Sequence, residues 1–169
     1  MFCDLVGFTE FSNNNTPDDV ISCLQDIVTA FEECSGRHGM EKIKTIGDAY
    51  MCTADLLRKV EDPVTKSVKA GLEMVKLVPE MSSGRLQARV GIHYGEAIGG
   101  IIGSEKFFFD IWGPTVNLAS RLESHSLPGK VNVSADVWYA LSGSVRGSDR
   151  GEIEVKGVGP LQMYFVDRV

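Results

Sequence analysis

The chain has no apolar run near the length of a membrane span, and its opening residues show no signal-peptide pattern. A cytoplasmic domain without a membrane segment is therefore expected. Cysteine is scarce: Cys3, Cys23, Cys34 and Cys52 show no metal-ligand spacing, and a reduced, intracellular setting explains them most simply. Histidine is scarcer, and the isolated His38, His93 and His125 read as packed or exposed side chains rather than ligands. Positive charge is also short, with 17 Lys and Arg against 23 Asp and Glu and a net charge of −6. That balance argues against a nucleic-acid partner or a broad footprint on an anionic membrane. A polyanion can still bind where a few cations converge, and Lys44, Arg89, Arg121 and Lys156 are the candidates. Repeats and low-complexity segments are absent. What remains is an ordinary globular composition, 43% apolar and 24% charged over 169 residues. One domain of that size buries about two thirds of the surface its unfolded chain exposes and requires no covalent staple.

The pattern along the chain mixes helices and strands without a regular βα repeat, which favours an α+β sandwich with helices on a mainly antiparallel sheet. Residues Gly7 to Asn14 read as a short helix. Thr16-Pro17-Asp18-Asp19 opens a second with a cap, a proline in the first turn and acids beside it, and Val20, Leu24, Ile27, Val28 and Phe31 form its core stripe. Gly36 to Gly39 closes it. Glu41 to Ile46 and Ala49 to Thr53 read as a hairpin around Gly47-Asp48. Asp62-Pro63 starts a helix that should end near Glu80. Leu86 to Ile92 alternates as a half-buried strand with Arg89 on its polar face. The glycines at 95, 99, 100 and 103 read as turn and close-approach positions. A strand over Lys106 to Asp110, a helix over Pro114 to Ser124, a strand over Lys130 to Val133, a short helix over Ala135 to Leu141 and a closing hairpin of Glu152 to Val155 with Leu161 to Val166 complete the pattern. A strand leading into Asp4 should be about five or six residues long, yet only Met1, Phe2 and Cys3 precede it. The expectation is one catalytic domain over residues 1–169, cut from a longer protein whose regulatory domain lies outside it.

Two aspartates carry the strongest chemical signal. Asp4 and Asp48 each end or interrupt an apolar β-type run, and Asp4 is followed by Gly7-Phe8-Thr9, where the backbone can turn into a helix whose free N–H groups face phosphate. Either carboxylate alone reads as a helix cap or turn residue; the two together favour a site for a magnesium nucleotide. In the second half, a helix opened by Gly113-Pro114 projects Asn117 and Arg121 from one face, three to four residues apart. Taken alone, these are also ordinary polar positions of an amphipathic helix.

In its ordered motifs the chain resembles the catalytic domain of class III nucleotidyl cyclases. The similarity runs through Asp4-Leu5-Val6-Gly7-Phe8-Thr9, Lys42-Ile43-Lys44-Thr45-Ile46-Gly47-Asp48, Arg89-Val90-Gly91-Ile92-His93, Asp110-Ile111-Trp112-Gly113, Asn117-Leu118-Ala119-Ser120-Arg121 and Val155-Lys156-Gly157. The resemblance implies a ferredoxin-like βαββαβ core and conversion of ATP to cyclic AMP and pyrophosphate. It implies that Asp4, Asp48 and the Leu5 carbonyl hold two Mg²⁺, with Mn²⁺ as a substitute. It places Lys44 at adenine N1, Asp110 at the 6-amino group, Asn117 at the ribose, Arg121 at the α-phosphoryl group, and Lys156, Arg89 and the Gly7-Phe8-Thr9 turn at the phosphates. It further implies a homodimer with shared active sites, because one domain of the family brings the metal aspartates and the other the remaining residues. A guanylyl or dual-specificity cyclase is the alternative within the class, disfavoured by Lys44 and Asp110. A silent, nucleotide-sensing or dimerising domain is the alternative outside it, and none of the residues it would lose is missing. A diguanylate cyclase would carry Gly-Gly-Asp/Glu-Glu-Phe where this chain has Ile46-Gly47-Asp48-Ala49-Tyr50.

Overall fold

A computed structural model describes residues 1–141 and 145–169. The elements are β1 (Phe2–Val6), α1 (Phe8–Asn14), α2 (Pro17–Arg37), β2 (Met40–Ile46), β3 (Ala49–Ala54), α3 (Pro63–Met81), β4 (Gln87–Ile92), β5 (Ile98–Ile102), β6 (Phe108–Trp112), α4 (Pro114–Ser124), β7 (Val131–Ser134), α5 (Ala135–Ala140), β8 (Arg146–Val155) and β9 (Gly159–Arg168). Seven strands form one sheet in the order β2-β3-β1-β4-β7-β9-β8, while β5 and β6 pair separately. Every neighbouring pair is antiparallel except β4 with β7. The first four strands with their helices make the expected βαββαβ unit, and the α+β class holds.

Period explains which face each element buries. Along β1, Cys3 and Leu5 face one side and Phe2 and Asp4 the other. The first side meets α2 and α3 in the main core, where Cys3, Leu5, Val90, Ile92, Val131 and Val133 pack with Ile27, Phe31, Val68, Met74 and Val78. Burying each such aliphatic side chain contributes about 1.5–3 kcal/mol. The other side meets α4 through Phe2, Met51, Ile111 and Ala119, with Leu122, Val155 and Met163 as a further cluster. Helix α2 starts as its sequence indicates, with Thr16 Oγ1 accepting from the Asp19 N–H at 3.2 Å and Pro17 in the first turn.

Four expectations change. The segment Ile98–Ile102 is a strand rather than a turn, and β6 lies two residues later than the pattern suggested. Gly99 is there because a Cβ would stand 3.2 Å from the Phe109 ring across the pair. Strand β8 begins at Arg146 rather than near Glu152. Strand β4 is not half-buried, since α4 lies against the face that carries Arg89 and Gly91. Gly91 permits this approach: a Cβ there would meet the Glu123 nitrogen at 2.0 Å.

Candidate active site

Asp4 stands in mid-strand, not at a helix start. Helix α1 takes Gly7 as its N-cap at φ 90, with no side-chain cap, so the capping alternative does not apply to Asp4. The residue directly across from Asp4 is Arg89. Arg89 Nη2 lies 2.8 Å from Asp4 Oδ2, and Arg89 Nε lies 2.7 Å from Glu123 Oε1. Those last two atoms are buried and make no aligned hydrogen bond, so their contact is one of charge with charge. Asp48 lies half-buried in the two-residue turn between β2 and β3, preceded by Gly47 at φ 62, a left-handed position that suits glycine. Burial pushes the Asp48 carboxyl above its ordinary range, its own backbone N–H opposes this, Asp4 pushes it further up and Arg89 pulls it down. Asp4 and Asp48 therefore share one negative region with Arg89 as its cation.

Burial likewise raises the Glu123 carboxyl; Arg89 opposes the shift, while Asp4 and Asp48 add to it. Leu5 sends its side chain into the core, so only its backbone can serve a ligand. The oxygens of Asp4, Asp48 and the Leu5 carbonyl are the donor chemistry a hard divalent cation takes.

Lys44 and Asp110, which the resemblance assigns to the base, pair with each other instead. Lys44 Nζ donates to Asp110 Oδ2 at 2.5 Å, joining β2 to β6. Burial pushes Asp110 up, but the hydrogen bonds from Lys44 and from the Ile111 N–H, with the Lys44 charge, outweigh it and hold the carboxyl below its ordinary range. A register shift between Lys42 and Lys44 leaves Ile43 as an extra residue in β2. That bulge changes the strand's alternation at Lys44.

Helix α4 buries Ala119, Leu122 and Glu123, whereas Asn117 and Arg121 are exposed on its outer face. Among the described residues no ion pair reaches Arg121 and no side-chain hydrogen bond reaches Asn117 or Lys156. Lys156 is exposed in the turn between β8 and β9. Gly7 and Thr9 are exposed and Phe8 is partly buried at the start of α1. The fold thus brings Asp4, Asp48 and Arg89 to one place and Lys44 and Asp110 to another. Asn117 and Arg121 are turned away from the sheet that carries Asp4.

Two features are not among the expectations drawn from the sequence. Glu123 was detectable as an acid four residues from Ala119, on the apolar stripe of its helix, where a buried carboxylate requires a partner. The second is a cluster of Cys34, His38 and Glu73, whose ligand-type atoms lie within 4.8 Å of one another. Glu73 pairs there with Arg37 and, at 2.8 Å, with His38 Nε2. Burial, then the Glu73 charge, pushes the Cys34 thiol up to about 12, and it donates to the Ala70 carbonyl at 3.6 Å. This is a neutral thiol beside an ion cluster tying α2 to α3.

The family model for the adenylate and guanylate cyclase catalytic domain matches residues 1–168. An adenylate cyclase of Mycobacterium tuberculosis is 34% identical over 169 residues, covering 98% of this chain and 38% of the relative. A germination-specific adenylate cyclase of Dictyostelium discoideum is 39% identical over 172 residues, covering 98% of this chain and 20% of the relative. The chain therefore spans less than two fifths of the length of either. Among solved structures, the guanylate cyclase domain of RhGC from Catenaria anguillulae, in complex with GTP, superposes with a TM-score of 0.91. It is 28% identical, and the match covers 98% of this chain and 92% of that one.

Proposed function

The chain belongs to the adenylate and guanylate cyclase catalytic-domain family, and on that premise we propose that it is an adenylyl cyclase working as a homodimer. The ribose 3′-oxygen of ATP attacks the α-phosphorus in line, the bond from that phosphorus to the bridging oxygen breaks, and pyrophosphate leaves with the electron pair. The hydroxyl proton passes to solvent, and 3′,5′-cyclic AMP remains. The observation that carries this reading is the opposed orientation of the two half-sites. Asp4 lies beneath α4 on the sheet, while Asn117 and Arg121 point outward from the same helix, so one chain's carboxylates meet another chain's Asn117 and Arg121.

Each residue has a defined task. Asn117 hydrogen-bonds the ribose and holds the 3′-hydroxyl in line, which supplies orientation. Arg121 presents fixed positive charge to the α-phosphoryl group as negative charge grows there. Lys156 and Arg89 hold the phosphates, and the backbone N–H groups at Gly7, Phe8 and Thr9 receive the terminal ones. Asp4, Asp48 and the Leu5 carbonyl would hold two divalent cations, Mg²⁺ or Mn²⁺, which would acidify the attacking hydroxyl and neutralise phosphate charge. Lys44 donates to adenine N1 and Asp110 accepts from the 6-amino group. Guanine presents the opposite polarity at both atoms, and one mispaired buried group costs about 1–3 kcal/mol.

The dimer is supported by exposed apolar side chains on and beside β5 and β6. Ile98, Ile101, Ile102, Phe107 and Phe108 are all more than 60% exposed, a patch of the kind that marks protein contacts. Regulatory input is proposed to lie outside residues 1–169, in keeping with the greater length of the curated relatives. The test is incubation of purified protein with ATP or GTP and Mg²⁺ or Mn²⁺, with chromatographic separation of products across protein concentrations. Cyclic AMP formation that rises more steeply than protein concentration supports the reading. Equal or greater cyclic GMP formation overturns the base assignment, and no cyclic product overturns the enzyme assignment.

A further inference from the structure

From the geometry around Arg89 we infer that Glu123 is a positioning residue that keeps the Asp4 carboxylate available to a divalent cation. The inference rests on the proposed metal role of Asp4.

Arg89 is the cross-strand partner of Asp4, and a guanidinium facing a carboxylate at that range tends to grip it with two parallel N–H groups. Such a grip would occupy both oxygens and compete with a metal. Instead the guanidinium is divided: Nη2 lies 2.8 Å from Asp4, and Nε faces Glu123 at 2.7 Å. The second contact exists because of Gly91. Arg89 and Gly91 lie on one face of β4, and the missing Cβ lets α4 settle with the Glu123 backbone directly over Gly91. The Glu123 carboxylate then reaches the guanidinium from above, with its side chain only 9% exposed. The buried Oε1 of Glu123 and Nε of Arg89 have no other polar partner among the described residues. Glu123 thus draws one edge of the arginine off Asp4 and keeps the cation beside the phosphate site without letting it close that site.

The same contact joins α4 to β1 within one chain. In the proposed dimer, Asn117 and Arg121 on the outer face of α4 serve one active site and Asp4 serves the other, so Glu123 links the two.

Mn²⁺ binding in the presence of the non-cyclisable α,β-methylene ATP, followed by electron paramagnetic resonance, reads this without turnover. Glu123→Ala is expected to weaken Mn²⁺ binding about tenfold, because Arg89 is freed to close on Asp4. Glu123→Gln, which keeps an acceptor of the same shape, is expected to weaken it less. At saturating analogue, which offsets the lost phosphate contact of Arg89, the combination of Arg89→Ala with Glu123→Ala is expected to restore Mn²⁺ affinity to within about threefold of wild type, since the competitor is gone, although activity stays low. A Glu123→Ala protein that binds Mn²⁺ within twofold of wild type overturns the inference. So does a double variant as weak as the single one, or a Glu123→Gln protein that fails to fold, which would make Glu123 a structural prop. If wild type binds no Mn²⁺, the functional reading and this inference fall together. If wild type binds and cyclises while Glu123→Ala matches it, only this inference falls.

Discussion

Replacing Gly91 with alanine changes one methyl group and tests the whole arrangement around α4. The added Cβ would stand 2.0 Å from the Glu123 nitrogen, 2.5 Å from the Glu123 Cα and 2.6 Å from the Ala119 carbonyl oxygen. All three are backbone atoms, so no side-chain rotation can relieve the contact. Non-bonded atoms of these kinds settle about 3.5 Å apart, and the helix must therefore retreat by about 1–1.5 Å. Overpacking of this kind costs about 1–3 kcal/mol, and the upper end applies where a helix axis has to move. That is a large share of the roughly 5–15 kcal/mol that holds a domain folded. The same retreat would carry Asn117 and Arg121 off the position proposed for the α-phosphoryl group, and a misplacement of about 1 Å lowers rate about 100-fold. Urea denaturation gives the stability loss, and cyclic AMP formation at matched folded fraction gives the rate. Gly36→Ala is the control: beyond its own stretch of α2 nothing among the described residues lies within 4 Å of the added Cβ, and the substitution should stabilise by about 0.4–1 kcal/mol. A Gly91→Ala protein with an unchanged urea midpoint and activity within about threefold of wild type would refute the close packing of α4 on β4 as the device that sets the site.

Mixing an Asp48→Ala chain with an Arg121→Ala chain should return activity to at most about one quarter of wild type, because half of randomly paired dimers are mixed and each has one whole site of two. No recovery after verified subunit exchange would mean that a single chain builds the site. Lys44→Glu combined with Asp110→Ser should weaken ATP turnover and raise GTP turnover, measured as the ratio of kcat/KM values; an unchanged ratio would remove both residues from base reading. Acid sensitivity should trace partly to His93, whose pKa is lowered by burial against the opposing pull of Asp136. A depressed histidine contributes stability that is present above its unfolded value of about 6.5 and lost as pH falls through its folded value. Between pH 7 and pH 5 the urea midpoint of wild type should therefore drop more than that of His93→Gln. Equal drops would refute it, and the opposite contribution of Glu123, whose penalty eases on protonation, cancels in the comparison.

Helix α4 was legible to the residue because Gly113-Pro114 marks its start, and its periodicity placed Asn117 and Arg121 together. The hairpin at Gly47-Asp48 was legible for a similar reason, since two β-type runs flank a two-residue turn. Strand β5 was not, because Gly99 and Gly100 remove the alternation by which strands are recognised, and the close approach of the Phe109 ring to Gly99 is a tertiary contact. The partners of Arg89 were hidden for a different reason. Asp4 and Glu123 are far from it in sequence, and only strand register on one side and helix docking on the other bring them within 3 Å. Local pattern reports which face a residue takes, but charge neighbours depend on tertiary contacts that no local period encodes.

The position of β1 has a consequence on the ribosome. This strand precedes its sheet neighbours β3 and β4 in the chain, so Phe2 must wait for Met51 and then for Gly91 to leave the exit tunnel. At about 5–20 residues per second that delay is roughly 5–20 s. Until β3 emerges, after about 2–10 s, Phe2, Cys3 and Leu5, later buried in the middle of the sheet, have no strand to pair with. The segment bearing Asp4 is therefore open to chaperones and to pairing with neighbouring nascent chains during that wait. Slower translation lengthens that exposure, and lower temperature weakens the hydrophobic association that makes it hazardous.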